Sequence, residues 1–253
     1  MPTLHGFAYS NYYNMPKHAL IYKGVPFEED LVYPSAKDYG QLSPALKVPS
    51  LTTDEGQHLS EASVLCEYIE EAYPDKPLLP TTPIARNKNR QLMRMTELYL
   101  ELPNRRLLPF SFSNQPAPEA LIAEVIAVVD RGINSLNALA TFDPFVLGEE
   151  LTMADIYLFY ALTVANMGCA LTGVNLNARI PGLESWHARF AADPISQKVA
   201  ADMEAIEQDF LAISKAVAKQ QPRDFVRDTG TGLPISGLAC EMLISETPKT
   251  FRQ

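Results

Sequence analysis

The stretch LKVPSLTTDEGQHLSEAS, from Leu46 to Ser63, puts a proline near the start of one short apolar run and a glutamate at the start of the helical pattern that follows. Both residues could do chemistry. Proline lowers the cis penalty to about 0.5–1 kcal/mol, so the Val48–Pro49 bond is a place where a cis peptide could be held. At the start of a strand Pro49 also stays out of the hydrogen-bonded ladder, and the Val48 backbone then faces outward, able to pair with an extended peptide ligand. Glu61 stands where a helix begins, and the N–H groups of a first turn point at whatever lies before them. They favour a carboxylate, while the Glu61 side chain can accept from an ammonium group. Together they would read an amino-acid head carrying both groups. Taken singly, Pro49 reads as a simple strand-initiating proline and Glu61 as an acid that complements the helix dipole.

These residues need a frame. TLHGFAYS (Thr3 to Ser10) has the content of a strand ending in a polar turn, and MPKHALIYKGVPFEEDLVY gives a helix ended by Gly24 and Pro26, then a second strand. A βαβ order calls for a parallel pair. SAKDYGQLSPAL is a polar connection with room for a short helix, and KVPSLTTDEGQHLSE supplies two strands joined at Asp54-Glu55-Gly56. From Glu61 to Ala72, Val64, Leu65, Tyr68, Ile69 and Ala72 fall at helical spacing. The first eighty residues read βαβ, loop, ββα, and the proline-rich Tyr73 to Pro83 reads as a linker. Beyond it the pattern is helical. ARNKNRQLMRMTELYLEL opens one long helix, APEALIAEVIAVVDRGINSLNALA a second, and LTMADIYLFYALTVANM a third, with Thr152 and Asp155 as a capping box and Leu151 and Ile156 as a staple. GLESWHARFAADP, stopped by Asp193-Pro194, and SQKVAADMEAIEQDFLAISKAVAKQ complete the bundle. The division is 1–80, 84–220 and an irregular extension over 221–253, where LACEMLIS reads as a short strand or an apolar clip.

Bulk properties narrow the class. The chain has 253 residues, 47% of them hydrophobic, and a net charge of -9, which argues against nucleic acid or an anionic membrane as partner. The start lacks a basic segment followed by an apolar run, so a cytoplasmic protein is expected. Ile156 to Ala178 is uncharged, but Asn166, Gly168, Gly173, Asn175 and Asn177 interrupt it, and a buried core helix with a following loop is expected instead of a membrane span. Cys66, Cys169 and Cys240 are widely separated and are read as structural thiols; no metal-ligand cluster and no CxxC pair is present.

The order of these weak motifs resembles the cytosolic glutathione transferases. LHGFAYS, KGVPFEE, SPALKVPSLTTDEG, LSEAS and YIEEAYP match their thioredoxin-like domain, and LTMADIYL with IPGLESWHARFAADP matches their helical domain, covering Thr3 to Phe210. The resemblance implies a thioredoxin-like α/β domain plus an all-helical domain, a homodimer, glutathione as cosubstrate and a small-molecule electrophile. By it, Lys47, Val48 and Pro49 hold the glycine end of glutathione, Pro49 being cis, and Glu61, Ala62 and Ser63 hold the γ-glutamyl head. Ser10 falls where a hydroxyl donates to the glutathione sulfur, with Tyr12 and Tyr9 as rival donors. A free thiol has a pKa of about 8.5, so such a donor is needed to form thiolate at neutral pH. Tyr12, Arg106 and Phe110 are expected in the electrophile pocket, with Arg105 as a rival to Arg106.

Two departures from that pattern stand out. The family's glutamate-serine pair is here Glu61-Ala62-Ser63, so one hydroxyl is missing. Arg86, Arg90 and Arg94 form a basic face, read either as neutralised locally by Glu97 and Glu101 or as meeting Glu67, Glu70 and Glu71 of a second copy. Glutathione-dependent peroxidase or disulfide reductase activity, and a non-catalytic interaction module of the same fold, are the alternative functions.

Overall fold

The structure, a computed structural model, describes residues 1–220 except Ser35, Lys37 and Asn114, with backbone alone for Asp209 and 211–220. The expected extension over 221–253, with LACEMLIS and Cys240, lies outside the described residues.

Strand β1 (Thr3–Gly6) leads into helix α1 (Asn11–Lys23), then β2 (Glu28–Leu31), β3 (Ser50–Thr52), β4 (His58–Ser60) and helix α2 (Ala62–Ala72). The sheet order is β2-β1-β3-β4, with β1 parallel to β2 and the other neighbours antiparallel. Local chemistry explains the boundaries. The Ser10 hydroxyl accepts from the Tyr13 N–H at 3.4 Å, capping α1, and Gly24, at φ 70°, ends it in the left-handed conformation a side chain would disfavour. The polar connection carries one 3₁₀ turn at Tyr39–Gln41. A row of side-chain hydrogen bonds crosses all four strands: Asp30 to His5 at 2.8 Å, His5 to Thr52 at 2.7 Å and Thr52 to His58 at 3.0 Å.

The second half is helical: α3 (Pro83–Thr96), α4 (Leu102–Arg105), α5 (Leu108–Ser113), α6 (Glu119–Leu139), α7 (Met153–Thr172), α8 (Leu176–Arg179), α9 (Leu183–Ala191) and α10 (Pro194–Gln220). A thioredoxin-like domain is thus followed by an all-helical one. Three details depart from the sequence reading. Glu61 lies outside α2, at φ 75° and ψ 117°, a region costly for a side-chain-bearing residue. The expected long helix is broken by a π turn at Glu97–Glu101, directly before Pro103, whose missing N–H cannot continue an α ladder. Gly132 of α6 makes room for that turn, since a Cβ there would stand 2.8 Å from the Tyr99 carbonyl. The third is α8, a single turn capped by Asn175 within the expected loop.

Helix α7 is long and apolar enough to cross a membrane by length and composition, yet it is the centre of the helical layer, with Ile156, Leu158, Ala161 and Ala165 fully buried. Its first turn is held by Asp155, which accepts from the Thr152 N–H and hydroxyl, both at 2.9 Å, from the Val146 N–H at 2.7 Å and from the Trp186 indole at 3.0 Å. Cys66 and Cys169 are unpaired and buried, and burial pushes both thiols up, Cys169 to about 11. The arginine face is satisfied within the chain: Arg90 forks onto Glu67 at 2.6 and 2.7 Å, Arg94 meets Glu97 at 2.6 Å, and Glu70 pairs with Lys23 at 2.7 Å. Of the two readings of that face, local neutralisation holds for Arg94 with Glu97, while Glu67 and Glu70 take Arg90 and Lys23 of the same chain.

Candidate active site

A cavity of about 720 Å³ opens between the two domains. Its floor is the turn after β1 and the start of α1, with Phe7, Tyr9, Ser10, Asn11 and Tyr12. One side carries Lys47, Val48 and Pro49 from the approach to β3, and Glu61, Ala62 and Ser63 from the start of α2. The opposite side is helical: Glu97, Leu102, Arg105, Arg106, Leu108 and Phe112, then Tyr157, Thr163, Val164 and Met167 of α7, then Ala200, Met203, Glu204, Glu207 and Phe210 of α10.

The Val48–Pro49 peptide is cis. Among the described residues the Val48 backbone makes no hydrogen bond, whereas its neighbours are anchored: Tyr39 Oη donates to the Lys47 carbonyl at 3.0 Å, and the Lys47 N–H donates to Ser43 Oγ at 3.2 Å. At α2, the positive φ of Glu61 turns its exposed side chain to the cavity while its carbonyl accepts the Leu65 N–H at 2.9 Å. The first N–H groups of α2 have no partner within the helix.

The candidate thiol donors differ sharply. Ser10 Oγ accepts a backbone N–H, which leaves its own proton available for an atom in the cavity. Tyr12 Oη is committed: it donates to Glu101 Oε2 at 2.7 Å, and burial, then the Glu101 charge, push its pKa far up. Tyr9 is raised by burial and by Glu207, whose carboxylate is 3.5 Å from its hydroxyl. Glu101 is fully buried and accepts from the Asn11 side-chain amide at 3.1 Å, from Tyr12 and from the Arg105 guanidinium, which also donates to Asn11 Oδ1 at 2.8 Å. One helical step along the π turn, Glu97 accepts from Tyr157 at 3.1 Å and from Arg94; burial raises its carboxyl against those two partners, and the nearby Glu101 and Glu61 charges add to the rise.

Most of the expected site residues therefore line one cavity, and Phe110 does not. It packs against the main core, and Phe112 takes its place, because Leu108 and Phe112 stand four apart on the cavity face of α5 while Phe110 projects from the other side. Both arginine candidates reach the cavity, each bound to a carboxylate: Arg105 to Glu101, and Arg106 to Glu124 at 2.8 Å. Sequence reasoning missed the α10 wall. Ala200, Met203, Glu204 and Glu207 recur with the period of one helix face, which was the available signal. That wall is latched to the first domain by Lys17, nearly fully buried, whose Nζ is 2.7 Å from both Glu29 and Asp202. Among the described residues no group of three His, Cys, Asp or Glu could hold a metal ion.

Family models for the N-terminal and C-terminal domains of glutathione S-transferase match residues 4–77 and 119–189. A glutathione S-transferase of Pseudomonas putida is 36% identical over 218 residues, covering 85% of this chain and 99% of that one. The chain belongs to the glutathione S-transferase family. A maleylacetoacetate isomerase of Pseudomonas aeruginosa is 28% identical over 162 residues, covering 63% of this chain and 76% of its own. In fold, a holo structure of maleylpyruvate isomerase, described as a bacterial zeta-class glutathione S-transferase, has a TM-score of 0.63 at 24% identity over 78% of this chain and 95% of that chain.

Proposed function

We propose that the protein binds reduced glutathione, activates its thiol through Ser10 and transfers it to an electrophilic small molecule. The observation that carries this is the convergence, in one cavity, of a Ser10 hydroxyl with its proton to give, the unpaired Val48 backbone and the Glu61 start of α2. Val48 pairs with the cysteinyl backbone of glutathione, Lys47 approaches the glycine carboxylate, and Glu61 takes the γ-glutamyl ammonium while the first N–H groups of α2 take its carboxylate. Sulfur then lies near Ser10. A hydroxyl donated to sulfur stabilises the thiolate, whose proton leaves to solvent, and the thiolate forms a carbon–sulfur bond as the leaving group departs with its electron pair. We place the protein in the cytoplasm as a homodimer, with exposed Val64, Ile84 and Leu98 near the α2–α3 face as the apolar surface for the second copy.

Calorimetric titration with reduced and then oxidised glutathione tests the reading. One site per chain for the reduced form supports it. No heat at millimolar ligand overturns it and leaves the interaction module. A second reading, glutathione-dependent cis–trans isomerisation of a maleyl diacid, is favoured by the names of the isomerase relatives. It is separated by following isomerisation of maleylpyruvate or maleylacetoacetate beside conjugation of an aryl halide.

A further inference from the structure

A second cavity, of about 770 Å³, lies where α9 and the loop before α7 meet the second half of α1. It shares no lining residue with the interdomain cavity. Its wall is aromatic: Phe145, Trp186 and Phe190 line it beside His18, whose ring stacks on Phe190 with centroids 5.3 Å apart. Arg189 fixes the adjoining loop, donating from one guanidinium nitrogen to the Phe142 and Pro144 carbonyls at 3.0 and 2.8 Å.

His18 is the buried polar group of this cavity. Only 1% of it is exposed, and of its two ring nitrogens Nδ1 alone has a hydrogen-bond partner among the described residues, Tyr160 Oη at 2.9 Å. The Tyr160 hydroxyl is itself buried and has no other partner there, so the pairing that strands no proton has Tyr160 donating to Nδ1. His18 then carries its own proton on Nε2, which is not among the polar atoms that the fold seals off without a partner. Burial, with the Asp193 charge opposing, lowers the pKa of the ring to about 4 and keeps it neutral near pH 7.

The charged groups of the cavity are Glu150, Arg189 and Asp193, all exposed and so at its rim. Glu150 has no partner among the described residues, and Asp193 spends one oxygen on the Ile195 N–H at 2.8 Å. A ligand that fits is flat, with an acceptor oxygen at its inner end and a donor at its outer end, where the carboxylates stand. We propose that this cavity is a second small-molecule site, taking a neutral aromatic carbonyl compound with a hydroxyl or amino group at the far end, its carbonyl bound by the His18 Nε2–H. No serine, threonine, cysteine or lysine lines it, so the site binds its ligand without reacting with it.

The probe is 7-amino-4-methylcoumarin, whose lactone carbonyl lies opposite its amino group and which absorbs where tryptophan emits. Trp186 is the only tryptophan in the chain and lines the cavity, so quenching of its emission reads binding. In the full chain, saturable quenching is expected below about 1 mM, and it persists with S-hexylglutathione in excess. Ala192→Phe, at an exposed position of the lining, weakens binding at least tenfold. His18→Phe keeps a stacking ring, removes the donor and weakens binding about fivefold, the share of one neutral hydrogen bond. Far-ultraviolet circular dichroism checks that each variant folds, and if His18→Phe does not, Ala192→Phe decides. No saturable quenching, its loss with S-hexylglutathione, or unchanged affinity in Ala192→Phe overturns the site. Unchanged affinity in folded His18→Phe overturns the carbonyl contact that defines the ligand.

Discussion

Tyr12 gives its hydroxyl proton to the fully buried carboxylate of Glu101, 2.7 Å away, and so is occupied on the inner side of the cavity where Ser10 is not. Ser10→Ala is therefore expected to raise the pKa of bound glutathione by about one to two units, since a hydrogen bond to a charged group contributes roughly 1.5–3 kcal/mol. Ultraviolet titration of the bound thiolate reads this directly. Glutathione affinity should change little, kcat/KM should fall about tenfold to a hundredfold, and loss of the cap on α1 should cost about 1 kcal/mol of stability. Tyr12→Phe should leave the thiolate titration in place; a large shift there would move the donor role to Tyr12.

Ala62→Ser should tighten glutathione binding by about tenfold, within the range expected for one added hydrogen bond to a carboxylate. Ala62 lines the cavity at the first turn of α2, where the γ-glutamyl carboxylate is proposed to sit. Calorimetry on the single variant checks it. No tightening would mean that Ser63, also on the cavity wall, already supplies the hydroxyl.

Arg105→Met should cost about 3 kcal/mol of stability in urea, the low end for a broken buried pair because Arg105 itself is partly exposed. The reason is what remains: a fully buried Glu101 with only Asn11 and Tyr12 to answer its charge. Arg105→Met with Glu101→Met should recover much of the loss.

His18 is held neutral, its pKa lowered to about 4 by burial, with Asp193 opposing; it sits 2.9 Å from Tyr160 Oη and stacks on Phe190. The unfolded chain binds that proton near pH 6.5 and the folded chain only near pH 4. Its contribution is thus fully present above pH 6.5 and is lost as the pH falls through that window, by about 3 kcal/mol at most. Denaturant midpoints of the wild type and His18→Gln between pH 7 and 4 should converge as the pH drops. Parallel curves would show that His18 does not titrate there.

Much of this arrangement was readable beforehand because it is local. The strands, the hairpin at Gly56, the caps at Ser10 and Thr152, the cis Val48–Pro49 bond and the helix start at Glu61 each depend on residues a few positions apart. What was misread depends on phase or distance. Phe110 and Phe112 are both plausible cavity aromatics until the exact rotation of α5 is known. The π turn shifts the helical register by one residue, which periodicity over a short window does not resolve, and it sets where Glu97 and Glu101 point. Arg90 finds Glu67 across a domain boundary, 23 residues away, where two charged helix faces give no hint of whether they meet each other or a second molecule.

Phe7 and Phe210 share one aromatic cluster although they stand near opposite ends of the described chain. On a ribosome working at about 5–20 residues per second, the first half of the ligand cleft is made roughly 10–40 s before the residue that closes its far wall. During that interval the nascent thioredoxin-like unit exposes Phe7 and Tyr9 to whatever is nearby, and a messenger truncated before the codon for Phe210 would encode a cleft without the ring that covers Phe7, Tyr9 and Phe112.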